Sequence, residues 1–195
     1  MSIEELARDA GLSAPRRYQV DWDRVEASVG TRLPADYKEY VYWFGPGSFD
    51  DYLIVCVPGV ENGYTELAAC LAKEQADARL RAQLAPSSTR FELFPELGGW
   101  LPWGFTTGGD GLYWVTSSDD SDRWTIAGRP SRGSDYSLFD GSFSAFLHTF
   151  IWDTVEMHFI PEAEGDVPIA FESESGEWLG GAGVRLEAYG RFEAA

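Results

Sequence analysis

Apolar residues recur every three to four positions along much of the chain, and in a few short runs they alternate or cluster. Ile3, Leu6, Ala7 and Ala10 share one helical face, behind a capping box from Ser2 to Glu5 and ahead of a stop at Gly11. "LSAPRRYQV" reads as a linker. Asp21 caps a second helix with Trp22, Val25 and Val29 inward and Gly30 as its end. Pro34 suits the first turn of a third, whose Tyr37, Tyr40, Val41 and Phe44 make an aromatic face closed by Gly45. "GPGSFDD" reads as a turn. "YLIVCVP" reads as a strand ended by Pro58. A helical pattern returns from residue 64 to about 84, with Leu67, Leu71 and Ala78 on one side.

The second half of the chain changes period. "RFELF" predicts a short strand. "WLPWGFTT", "GLYWVT" and "RWTIAG" predict an antiparallel meander. Alternation sends Leu112 and Trp114 to one face of their strand and Tyr113 and Val115 to the other, so that strand is central and covered on both sides. "SFSAFLHTFIWDTV" is an amphipathic helix, with Phe143, Phe146, Leu147, Phe150 and Ile151 inward and Asp140 or Ser142 as its cap. "VPIAFES" and "VRLEAYGRF" read as strands around an acidic, glycine-rich loop. The pattern predicts an α+β fold: one domain over residues 1–195, mainly an antiparallel sheet, flanked by N-terminal helices and a helix near residues 142–153. Residues 156–195 form a strand-rich C-terminal extension.

Composition sharpens this picture at two points. Asp and Glu number 32 against 15 Lys and Arg, a formal net charge of -17. Such a field repels phosphate backbones and anionic membranes, so neither nucleic acid nor lipid is an expected partner, whereas a basic protein is steered in. No signal-peptide pattern or bilayer-length apolar stretch occurs, which predicts a cytoplasmic chain. The two cysteines, Cys56 and Cys70, read as buried thiols rather than a disulfide or metal ligands.

Candidate chemistry is sparse. "TTGGDG" (residues 106–111) invites a phosphate or a metal, but a P-loop needs Lys and Ser or Thr after its last glycine, and here Leu112 and Tyr113 begin a strand. Asp110-Gly111 instead predicts a type I′ hairpin turn. Asp119, Asp120 and Asp122 lack the spacing, the central glycine and the terminal glutamate of a calcium loop. His148 could pair with Glu156 for acid/base work, but no nucleophile motif accompanies them, and a histidine flanking an apolar helix face is the simpler reading. Trp22, Trp43 and Trp152 are expected in the core. Trp100, Trp103, Trp114, Trp124 and Trp178 fall on strands or loops, where aromatics serve cores and interfaces alike.

The order of these segments carries more than any one of them. "WDRVEASVGTRLPADYKEYVYWFGPGSFDDYLIV", then "LPWGFTTGGDGLYWVT", "WTIAG" and "SFSAFLHTF" resemble the SUKH superfamily. The matching positions are Glu26, Gly30, Leu33, Pro34, Asp36, Tyr37, Gly45, Gly47, Gly109, Asp110, Ser142, Phe143, Phe146 and Leu147, within residues 20–152. Trp103 stands where that pattern often has Phe, and residues from 156 onward lie outside it. The resemblance implies a non-enzymatic protein-binding module without cofactor or metal. Bacterial members of this kind are immunity proteins that neutralise toxins, many of them nucleases. The alternative it implies is a regulatory or scaffold protein with several protein partners, as for the yeast Smi/Knr regulator. Acidic and aromatic loop positions then give the expected contacts with a basic toxin domain: Asp50, Asp51, Tyr52, Trp103, Asp110, Asp119, Asp120 and Asp122.

Overall fold

The first two helix starts are built as the sequence predicts. The Glu5 amide donates to the Ser2 hydroxyl while the Ser2 amide donates to the Glu5 carboxylate, closing the capping box of α1 (Ile3–Asp9). The computed structural model describes residues 2–84, 91–132, 135–152, 154–161, 167–173 and 189–193. Within the expected linker lies β1 (Tyr18–Gln19). Asp21 caps α2 (Trp22–Val29), accepting from the Arg24 amide at 3.1 Å. In α3 (Ala35–Phe44), Pro34 is the cap residue and offers no side-chain acceptor; a carboxylate from far along the chain supplies one instead, with Ala35 N–H donating to Asp122 at 2.6 Å.

The expected turn at "GPGSFDD" contains a strand, Gly47–Phe49, ahead of the turn itself. β2 (Gly47–Phe49) and β3 (Leu53–Val55) form a hairpin whose connection is closed by the Tyr52 amide donating to the Phe49 carbonyl at 2.9 Å. α4 (Leu67–Leu84) begins three residues later than its periodicity suggested, because the Glu66 carboxylate accepts from the Ala69 amide at 2.8 Å and caps it. β4 (Trp100–Thr106), β5 (Gly111–Val115), β6 (Thr125–Arg129) and β7 (Ser137–Phe139) follow as an antiparallel meander. Ser142, rather than Asp140, caps α5 (Phe143–Ile151). The described chain ends with β8 (Phe171–Ser173) and β9 (Arg191–Phe192). No "RFELF" strand occurs among the described residues: Leu93 makes a single bridge to Trp100. Of "VRLEAYGRF", only residues 189–192 lie among the described residues, and β9 is their strand.

The result is α+β. The sheet order is β7-β6-β5-β4-β3-β2-β8, every pair antiparallel, and β1 with β9 makes a separate two-stranded sheet. One face carries Leu101, Trp103, Leu112, Trp114 and Ile126, all fully buried, against α3 and α5. Tyr37 of α3 meets the Trp114 ring edge-on at 4.9 Å, and Phe143 of α5 meets Trp103 at 5.0 Å. The other face carries Trp100, Tyr113 and Ala127, covered by Phe91, Leu93 and α4. β5 therefore faces apolar groups on both sides, as its alternation predicts. Trp22 and Trp43 pack partly buried on the core, but Trp152 is exposed, because it terminates α5 beyond the last buried turn.

Glu26 holds α2 to α3. Its carboxylate accepts from the Leu33 amide at 2.9 Å and from the Lys38 ammonium. Partial burial pushes its pKa up, but the Lys38 and Leu33 bonds outweigh burial, and the net shift is downward. A depressed folded pKa contributes stability that is fully present above the ordinary carboxylate value and is lost as pH falls through the folded one. Wild type should therefore exceed Glu26→Gln in urea-unfolding free energy at pH 7, with the gap closing below pH 4.5, the unperturbed value. A gap that stays constant down to acid pH would remove Glu26 from this role.

Candidate functional site

The glycine-rich stretch is a turn, displaced from its predicted centre. β4 ends at Thr106, the Gly109 amide donates to the Thr106 carbonyl at 2.9 Å, and Gly109 takes a left-handed φ of 86°. Asp110 and Gly111 come after the reversal rather than at its centre. Asp110 is buried, and its carboxylate accepts from the Thr106 hydroxyl at 2.6 Å and the Ser131 amide at 2.7 Å. It clips the β4–β5 turn to the chain leaving β6, and each of its oxygens is engaged by a bond within the chain. The two-residue turn with positive φ at both centres occurs elsewhere, at Asp50 (53°) and Asp51 (47°).

The eight expected contact residues do not form one surface. Trp103 is fully buried between the sheet and α5, against Phe143 and Phe146, so its side chain does not reach the surface. Asp50, Asp51 and Tyr52 sit at one end of the sheet, where the Thr107 amide donates to the Tyr52 carbonyl at 2.9 Å and brings the β2–β3 and β4–β5 tips together. Asp110 is beneath that end. Asp119, Asp120 and Asp122 lie beyond the opposite end, after Val115, with all five residues of β5 between. At ~3.4 Å per residue that is about 15 Å of strand. Asp120 caps the short turn of helix at Ser121–Arg123, and Asp122 caps α3. Asp50 and Asp51 are exposed, and no bond to either carboxylate occurs among the described residues. His148 lies beside Trp152, with ring centroids 6.4 Å apart, and nothing joins it to the exposed Glu156 among the described residues.

A cleft of about 250 Å³ opens between α4 and the second sheet face, lined by Tyr64, Lys73, Glu74, Pro102, Phe105 and Arg129, with Cys56 and Cys70 among its walls. Glycines keep its floor low: a Cβ on Gly104 would stand 2.8 Å from the Ile54 carbonyl oxygen, and one on Gly111 would run into the Tyr113 hydroxyl. Tyr113 is the hub. Its hydroxyl donates to Glu74 at 3.1 Å and accepts from Arg129 Nη2 at 3.0 Å, and Arg129 also pairs with Glu74 at 3.5 Å. Burial and then the Glu74 charge raise the phenol pKa, so Tyr113 stays neutral. Burial opposes the charge on Arg129, but Tyr113 and Glu74 outweigh it and the guanidinium remains protonated. The trio satisfies itself and leaves no activated nucleophile. No group of three or more His, Cys, Asp or Glu able to hold a metal occurs among the described residues.

These cleft residues escape a sequence reading. Arg129 and Gly111 become neighbours only through the β5–β6 register. Glu66 escapes as well: it is buried at 3% exposure and accepts from the Gly59 and Ala69 amides and from the Tyr189 hydroxyl, tying α4 to the C-terminal segment. The sequence pattern places Glu66 inside a helical run from residue 64, so its capping role shows only once the helix is seen to start at Leu67. No helix among the described residues is long and apolar enough to cross a membrane. No family model, curated protein or solved structure matches the chain.

Proposed function

We propose that the protein is a non-enzymatic binding module that acts in the cytoplasm, occluding a basic, nuclease-like toxin domain as an immunity protein does. The observation that carries this reading is the β2–β3 tip. Asp50 and Asp51 both hold positive φ, 53° and 47°, a conformation that Asn-Gly adopts at lower cost. Two adjacent like charges there add repulsion. A hairpin that accepts backbone strain and repulsion to present two free carboxylates from a rigid sheet end is suited to meeting cations. The net charge of -17 supplies the long-range steering. Tyr52, half-buried behind the two aspartates, offers a fixed aromatic edge.

The test begins with affinity capture of the partner from the source cells, followed by kinetics with the captured basic domain. Asp50→Asn/Asp51→Gly should unfold later in urea, by about 1 kcal/mol from relieved strain. The same variant should associate more slowly, with the difference shrinking as salt rises. An association rate unchanged at low salt would sink the electrostatic docking, whatever happens to stability.

A further inference from the structure

We propose that Cys56 and Cys70 form a reversible dithiol–disulfide pair, oxidised by a small peroxide that enters through the cleft between α4 and the sheet. The two sulfurs lie 2.9 Å apart, inside the contact distance of two unbonded sulfur atoms. Neither is free to drift away. The Cys56 amide donates to the Trp103 carbonyl at 2.8 Å, and its own carbonyl accepts from the Tyr37 hydroxyl at 2.6 Å. Cys70 lies in the first turns of α4, where its amide donates to the Glu66 carbonyl at 2.9 Å and its thiol to the Tyr64 carbonyl at 3.0 Å. The sulfurs are already in contact, so from this arrangement the bond closes by side-chain rotation.

The cleft supplies access. Both cysteines line it; Cys70 is the more open at 8% exposed, against 1% for Cys56. Its volume of about 250 Å³ admits a peroxide and excludes a protein-sized exchange partner. Cys70 therefore reacts first. Its sulfur attacks one peroxide oxygen, the O–O bond breaks, and the departing hydroxide takes up the thiol proton, leaving a sulfenic acid and one water. The Cys56 sulfur then displaces hydroxide from that sulfenic sulfur, and its proton completes the second water. Two thiols are oxidised by two electrons and one peroxide is reduced to two waters.

Burial pushes the Cys56 thiol well up, and the neighbouring Cys70 thiol, Glu66 and Glu74 push the same way. Tyr64, Lys73, Tyr113 and Arg129 are the other titratable groups lining this cleft, and Tyr37 from α3 lies against the Cys56 carbonyl. Cys56 thus rests as a thiol, and closure speeds up as pH rises and its thiolate fraction grows. The bridge would tie the end of β3 to the start of α4 and stiffen the inner wall of the cleft. None of this depends on the partner-binding reading.

The experiment exposes the folded full-length chain to hydrogen peroxide, quenches it in acid, then denatures and alkylates it for intact-mass and peptide analysis. The expected product has lost two hydrogens, takes up no alkyl group, joins the Cys56 and Cys70 peptides, and recovers both thiols with a reductant. Cys56→Ser and Cys70→Ser should each fail to give the internal cross-link. Three results would overturn the proposal: both thiols still alkylated after native exposure, only sulfinic or sulfonic products, or a bridge that forms solely in urea.

Discussion

Trp103→Ala is expected to lower the unfolding free energy by about 3–5 kcal/mol in a urea titration. The indole is fully buried, with ring centroids 5.0 Å from Phe143, 5.5 Å from Phe146 and 6.3 Å from Trp114. Truncation removes apolar burial and leaves a cavity between a central strand and α5, where rigid aromatic neighbours collapse poorly. Trp103→Phe should cost far less, about 1 kcal/mol, because the smaller ring keeps most edge contacts. It also removes an indole N–H that has no hydrogen-bond partner among the described residues. Folded Trp103→Phe should bind a partner as wild type does. A Trp103→Ala variant within 1 kcal/mol of wild type would contradict the core position, and a folded Trp103→Phe with weakened binding would return this residue to the interface.

The second large effect is at Asp110. Asp110→Ala should cost about 2–3 kcal/mol, since it removes two charge-assisted bonds at once, from the Thr106 hydroxyl and the Ser131 amide. The Thr106 hydroxyl is buried and cannot turn to water without opening the hairpin, while Ser131 is exposed and can. Asp110→Asn keeps one acceptor oxygen and should lose about half as much. Amide hydrogen exchange gives the local readout: the Gly109 and Ser131 amides should exchange faster in Asp110→Ala, while those of α1 do not. A neutral effect on stability together with weaker partner binding would show the carboxylate facing outward.

The two substitutions correct one inference about one stretch. In "LPWGFTTGGDGLYWVT" the presence of a turn and the strand after it were legible, because glycines and alternation are written into neighbouring residues, but the turn's centre was not. The roles of Trp103 and Asp110 were not. An aromatic near a loop and an aspartate beside glycines look the same whether they point in or out. Only the β4–β5 and β5–β6 registers send Trp103 under α5 and hold Ser131 over Asp110. The hairpin at residues 47–55 shows the converse: Asp50-Asp51 lacks the Asn-Gly signature, so a turn with two positive φ values was legible only once β2 and β3 had paired.

By itself the sequence determined the α+β class, the first two helices with their caps at Ser2 and Asp21, the amphipathic face of α5, and the doubly covered strand β5. Each rests on residues within about four positions of one another, the reach of a capping bond or of a helical or strand period. The tertiary structure alone decided that the acidic loops at residues 50–51 and 119–122 lie at opposite ends of the sheet. It also placed Asp122 on the first amide of α3 across 87 positions, and gathered Cys56, Cys70, Glu74, Tyr113 and Arg129 around one cleft. Those placements depend on strand order and register, which follow from how whole faces bury one another rather than from any local run of residues.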